Sequence, residues 1–304
     1  MIYVFSGQGA QQPGMGKDLY DSSKAARAVF DAADAALGRK LSEICFEGTI
    51  EDLTASTNCQ PAIYTMSNAC LAAFRERFPN APAPAACAGL SLGEYGALAC
   101  AGAFDFATGI KLLEARASFM DAACQKMPGG MASVLGAETA VVEAAAKEAG
   151  CEVANYNCPG QIVISGTKET VEAAVALLKS RGIRKAIVLK VAGAFHSSCM
   201  ASAAGEMVSV LQAADIKMPE VPVWHNFTAA PAKDIAELRK NLADQISGSV
   251  RWEESIRSMV ETIKADTVIE FGPGAVLTGL VKRTLPEMKL FNINSADSLN
   301  NIAF

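Results

Sequence analysis

"CAGLSLGEYGALAC", residues 87–100, holds one serine between two glycines in a run that is otherwise almost all small or apolar. The apolar run Ala85 to Leu90 leads into it, and an Ala-rich stretch of helical character follows, so a buried strand turning sharply into a helix is expected here. Two other short apolar runs, Ile2 to Phe5 and Thr267 to Phe271, also meet glycine within a few residues. Short buried strands alternating with longer helical patterns are the signature of a mainly parallel sheet covered by helices. The fold class is therefore α/β.

Residues 128–191 read differently. "GGMASVLG" is a strand, 138–149 a helix, "CEVANYN" and "QIVISG" two strands, 168–181 a helix and "RKAIVLKV" a strand. This βαββαβ order is that of a ferredoxin-like unit, complete in itself. The sequence on either side holds only part of a sheet. We expect a discontinuous large domain of residues 1–127 and 192–304, interrupted by a small domain of residues 128–191 that "KMPGG" introduces, with a ligand cleft between them.

With 304 residues, 51% of them hydrophobic, the chain can bury a large core. A net charge of −5 argues against a surface built for nucleic acid or acidic membranes. The nine cysteines include no CxxC pair and read as reduced thiols, which with the lack of a leader or membrane-length apolar run points to the cytoplasm. Scattered cysteines and two distant histidines offer no metal-ligand spacing, and neither metal nor other cofactor is expected.

Gly89-Leu90-Ser91-Leu92-Gly93 fits a strained turn that holds a serine hydroxyl outward, with the Leu92 amide at the helix start facing a developing oxyanion. The plainer reading is a helix-capping serine. A serine nucleophile needs a base. His196, in the irregular "VAGAFHSS", suits a cleft; His225, in the alternating "VPVWHNF", suits a packed strand. His196 is preferred, and no acidic third member stands out, so a carboxylate or a backbone carbonyl is left to orient the ring. On the helix expected at 105–124, Ile110, Leu113, Ala117, Met120 and Cys124 form an apolar stripe opposite Lys111, Glu114, Ser118 and Asp121. Arg116 falls on that stripe, where it needs either an internal ion-pair partner or the carboxylate of a substrate.

"FSGQGAQ", "GLSLGEY", Arg116, "GAFHS" and "EFGPG" together resemble the malonyl-CoA:acyl carrier protein transacylases over residues 2 to near 285. The resemblance implies an α/β-hydrolase-like large domain with a ferredoxin-like insert. It implies Ser91 as nucleophile, His196 as general base and acid, and Gln245 as the residue whose main-chain carbonyl orients the histidine. The amides of Gln11 and Leu92 are implied as the oxyanion hole, Arg116 as the malonyl carboxylate site, and Gln60 and Met120 as pocket lining. Phe195 matches the malonyl-selective pattern, while Leu90 replaces the family's usual histidine. The implied partners are malonyl-CoA and holo acyl carrier protein, the implied pathway is fatty acid synthesis, and a monomer is expected. A discrete acyltransferase of a polyketide assembly line, a serine thioesterase or esterase, and an acyl-CoA-binding module are the alternatives. Arg181, Arg184, Lys185 and Lys190 are candidates for carrier docking or simply a solvated basic face.

Overall fold

Strands drawn from both ends of the chain share one parallel sheet in the computed structural model, which describes residues 1–302. In chain order the strands are β1 (Ile2–Phe5), β2 (Ala86–Gly89), β3 (Gly129–Leu135), β4 (Glu152–Cys158), β5 (Gln161–Thr167), β6 (Lys185–Val188), β7 (Val223–Trp224), β8 (Thr267–Phe271) and β9 (Lys289–Ile293). The parallel sheet has the order β7-β2-β1-β8-β9, with Ile2 opposite Ala86 on one side and Val268 on the other. Ile2 and Val4 enter one apolar cluster and Tyr3 and Phe5 another, so β1 is buried on both faces. That is why it reads as an unbroken apolar run.

The other sheet is antiparallel, ordered β4-β5-β3-β6, and helices Thr139–Ala149 and Lys168–Ser180 complete the βαββαβ order expected from the sequence. Ala132, Ile164, Val142, Val171 and Leu178 belong to a separate apolar cluster made only of residues from this segment. The expected last strand is shorter than "RKAIVLKV" suggests. It lies at the sheet edge with Ile187 and Val188 exposed, and beyond them only the Leu189 amide still bonds back, to Met131. Backbone bonds between Tyr156 and Val250 and between Val250 and Ala154 tie this layer to the larger body.

Helix Phe106–Lys126 starts where Asp105 caps it by accepting from the Thr108 amide at 2.7 Å. Its stripe is buried as the 3.6-residue period requires, and Arg116 is buried with it. Among the described residues no helix is long and apolar enough to cross a membrane.

Candidate active site

The turn after β2 decides where Ser91 points. Ser91 has φ 55, the left-handed region, at the junction between β2 and helix Gly93–Cys100. Such a conformation costs a non-glycine residue about 1–3 kcal/mol and persists only when its surroundings enforce it. Two glycines make the enforcement possible. A Cβ on Gly89 would lie 2.0 Å from the Gly93 carbonyl carbon, and one on Gly93 would lie 2.2 Å from the Phe5 carbonyl oxygen. Asn226 supplies a clamp: its Oδ1 accepts from the Ser91 amide at 2.5 Å and its Nδ2 donates to the Gly89 carbonyl at 2.7 Å.

His196, also left-handed at φ 56, places Nε2 2.9 Å from Ser91 Oγ and Nδ1 2.7 Å from the Gln245 carbonyl oxygen. A carbonyl can only accept, so the ring proton sits on Nδ1 and Nε2 offers its lone pair to the serine proton. Burial, and then the Arg116 cation, lower the imidazole from its ordinary 6.5 to about 4, against the opposing pull of the Gln245 and Gly248 carbonyls. The ring is neutral at neutral pH, with the Nε2 lone pair free to accept a proton.

Two pH effects follow. The acid limb of kcat/KM should fall near pH 4 rather than near 6.5, which a rate profile measures. Because the folded pKa lies below the unfolded one, the folded chain binds fewer protons between the two values. The stability this group contributes is complete above about pH 6.5 and drains away as pH falls toward 4, by at most about 1.4 kcal/mol per pH unit. Urea midpoints at several pH values should show this slope, and His196→Gln should remove it; an unchanged slope in that variant would assign it to other groups.

Arg116 closes the cluster. Its Nη1 donates to Gln60 Oε1 at 2.6 Å, and its Nη2 donates to Ser91 Oγ and to Gln245 Oε1, both at 3.0 Å. Its buried Nε has no partner. No aspartate or glutamate lies within ion-pairing distance of it among the described residues, which removes the internal ion pair left open by the sequence. The carboxyl of Glu94 is reached only through the Gln245 amide, whose Nε2 donates to Glu94 Oε2 at 2.7 Å. Burial pushes down the guanidinium pKa, while Tyr95 and Glu94 oppose that shift.

Six of the residues singled out by sequence are joined by these contacts: Ser91, His196, Gln245, Arg116, Gln60 and, through a 3.5 Å contact from Gln60 Nε2 to its sulfur, Met120. Leu92 stands at the mouth of its helix and Phe195 is buried beside His196. Gln11 sits in the loop after β1, its Oε1 accepting from the Gly9 amide at 2.8 Å, and no hydrogen bond links it to the cluster among the described residues. Leu90 packs against the apolar cluster of Val4 and Ala88. Arg181 pairs with Glu148, and Arg184, Lys185 and Lys190 are exposed.

Two residues of this cluster, Glu94 and Asn226, were not singled out by sequence. Glu94, fully buried, accepts from His225 Nδ1, the Asn226 amide and Gln245 Nε2 at 2.7–2.8 Å. His225 is thus committed to Glu94, whereas His196 is the histidine whose Nε2 reaches Ser91 Oγ. In sequence Glu94 looks like an ordinary first-turn acid, and Asn226 carries no local signal beyond following a short strand.

A hydroxyl on a strained turn, a neutral imidazole aimed at it and a buried cation beside both, all over a parallel sheet, make up an α/β site of the acyl-transfer class. Residues 2–300 match the acyl transferase domain family. The chain is 41% identical to a malonyl CoA-acyl carrier protein transacylase of Bacillus subtilis (strain 168), over 98% of this chain and 95% of that one. It superposes with TM-score 0.93 on an acyl-carrier-protein S-malonyltransferase of Bartonella henselae, at 36% identity over 98% and 96% of the two chains. A malonyl-transacylase solved with its type II polyketide acyl-carrier protein also superposes at 0.93, with 33% identity over 98% and 97%. The chain belongs to the malonyl CoA-acyl carrier protein transacylase family and is an acyltransferase.

Proposed function

We propose that this chain moves a malonyl group from malonyl-CoA to the phosphopantetheine thiol of an acyl carrier protein, supplying fatty acid synthesis in the cytoplasm, through an ester on Ser91. The observation that carries this reading is a buried guanidinium with no carboxylate of its own, 3.0 Å from the serine hydroxyl. In a malonyl thioester the free carboxylate lies one methylene from the carbonyl under attack. A cation touching the nucleophile is therefore within reach of that carboxylate, which displaces the amide and hydroxyl acceptors now holding Arg116.

In the first half-reaction Ser91 Oγ attacks the thioester carbon as its proton passes to His196 Nε2. The oxyanion is held by the backbone amides of Gln11 and Leu92, the carbon–sulfur bond breaks, and the proton leaves with the CoA thiol. In the second, the carrier thiol gives its proton to Nε2 and attacks the ester, and Ser91 takes the proton back as it departs. The Gln245 carbonyl, at 2.7 Å from Nδ1, holds the ring's tautomer throughout and supports the imidazolium that forms twice per cycle. Gln60, Met120 and Phe195 shape the pocket. We read the body formed by residues 1–127 and 192–304 as α/β-hydrolase-like and residues 128–191 as a ferredoxin-like insert, the cleft between them admitting both thiols.

Intact-mass measurement tests the sequence of steps. With malonyl-CoA alone the chain should gain one malonyl group, and addition of holo carrier should return it to its starting mass while the carrier gains the group. Free malonate released at the same rate without carrier would identify a hydrolase instead.

A further inference from the structure

Cys87 and Cys100 take no part in the chemistry above, yet they meet at the end of the strand–turn–helix unit opposite the turn that carries Ser91. Cys87 lies in β2, and Cys100 is the last residue of helix Gly93–Cys100, so the two thiols close a small loop around the turn. The Cys87 thiol donates to Cys100 Sγ across 3.9 Å, and Arg75 Nη2 donates to the same sulfur at 3.6 Å. Cys87 is fully buried and Cys100 half-buried. Tyr3, paired with Cys87 across the sheet, is the other titratable neighbour, and its hydroxyl donates to the Pro82 carbonyl. A cavity of about 350 Å³ lined by Tyr3, Arg75, Phe78 and Pro84 opens at the same guanidinium.

We propose that Cys87 and Cys100 form a hydroperoxide-reactive thiol pair that closes to a disulfide across the base of the strand–turn–helix unit that carries Ser91. The Cys87 hydrogen bond and the Arg75 cation hold the Cys100 thiol below its usual range, which favours the nucleophilic thiolate there, while Cys87 is pushed up. Burial instead pushes up Cys45, Cys59, Cys70, Cys124, Cys151 and Cys158, which keeps them as unreactive thiols. The Cys100 thiolate attacks the terminal oxygen of a hydroperoxide. The oxygen–oxygen bond breaks, an alcohol or water leaves with one proton, and Cys100 becomes a sulfenic acid. Cys87 then attacks that sulfur, the sulfur–oxygen bond breaks, water leaves with the Cys87 proton, and the disulfide forms. Two thiols lose two electrons and the peroxide gains them.

Closure needs the sulfurs to move from 3.9 Å to about 2.05 Å. The helix end supplies the slack: Cys100 is followed by Ala101 and by Gly102, which turns the chain at φ 76.

The sequence makes the test direct, because the tryptic peptide of residues 78–111 contains both thiols and no other cysteine. After brief exposure to hydrogen peroxide and alkylation, that peptide should lose two hydrogens, take up no alkylating reagent, and recover both sites after dithiothreitol. Cys87→Ser should leave Cys100 as a sulfenic acid trapped by dimedone, and Arg75→Gln should slow oxidation about tenfold. If Cys87→Ser does not fold, the wild-type peptide decides. A map in which another cysteine oxidises first, or in which Cys100 stays singly oxidised beside a reduced Cys87, overturns the proposal.

Discussion

Ser91→Ala should lower malonyl transfer by on the order of 10⁴-fold or more and abolish the mass gain seen with malonyl-CoA alone. The substitution removes one oxygen and leaves the turn in place, since alanine meets the same left-handed backbone that serine does and the Asn226 clamp acts on main-chain atoms only. The loss therefore reports chemistry and not folding, which an unchanged denaturant midpoint verifies. Oγ stands between the lone pair of His196 Nε2 and the Arg116 cation, so it can shed its proton in one direction while its developing charge is stabilised from the other. An acyl adduct surviving in the alanine variant would move the nucleophile to another residue.

Arg116→Ala should cut the preference for malonyl-CoA over acetyl-CoA, measured as the ratio of kcat/KM values, by about 10²–10³-fold, the scale of losing one member of a buried charge pair. The expected gain for malonyl rests on a guanidinium that is buried and held by neutral acceptors, so an incoming carboxylate would meet a charge whose dehydration was met during folding. Acetyl groups offer nothing in exchange for those acceptors. Arg116→Lys should not restore the preference, because one ammonium cannot span Gln60, Ser91 and Gln245 together. A selectivity ratio that stays the same in the alanine variant would take the carboxylate site away from Arg116.

The contrast between Arg116 and Gln245 shows what the sequence can convey. Arg116 stands out because a charged residue interrupts a helical period, and the period alone tells which face is buried. The strand and turn around Ser91 are legible for a similar reason, since tight backbone geometry demands glycine at fixed offsets. Gln245 has no such local mark: it meets Ser91 across 154 positions of chain and His196 across 49, and only the assembled fold brings its carbonyl to the ring. Resemblance to a family, not periodicity, pointed to it. The preference for His196 over His225 is slight for the same reason, each lying at a strand end or irregular junction; the contact of His225 with Glu94 is likewise visible only in the assembled fold. Glu94 stayed hidden because an acid in a first helical turn is ordinarily explained by the helix dipole.

The order β7-β2-β1-β8-β9 has a bearing on biosynthesis. β1 ends in the middle of its sheet, and the neighbour on one flank, β8, follows it in translation only after the residues between Phe5 and Thr267 have been made. Every residue that touches Ser91 has been translated by then, yet the hydrophobic strand under the site still has a bare edge. The growing polypeptide must keep that edge from sticking to other nascent chains while all of the sequence between β1 and β8 is made.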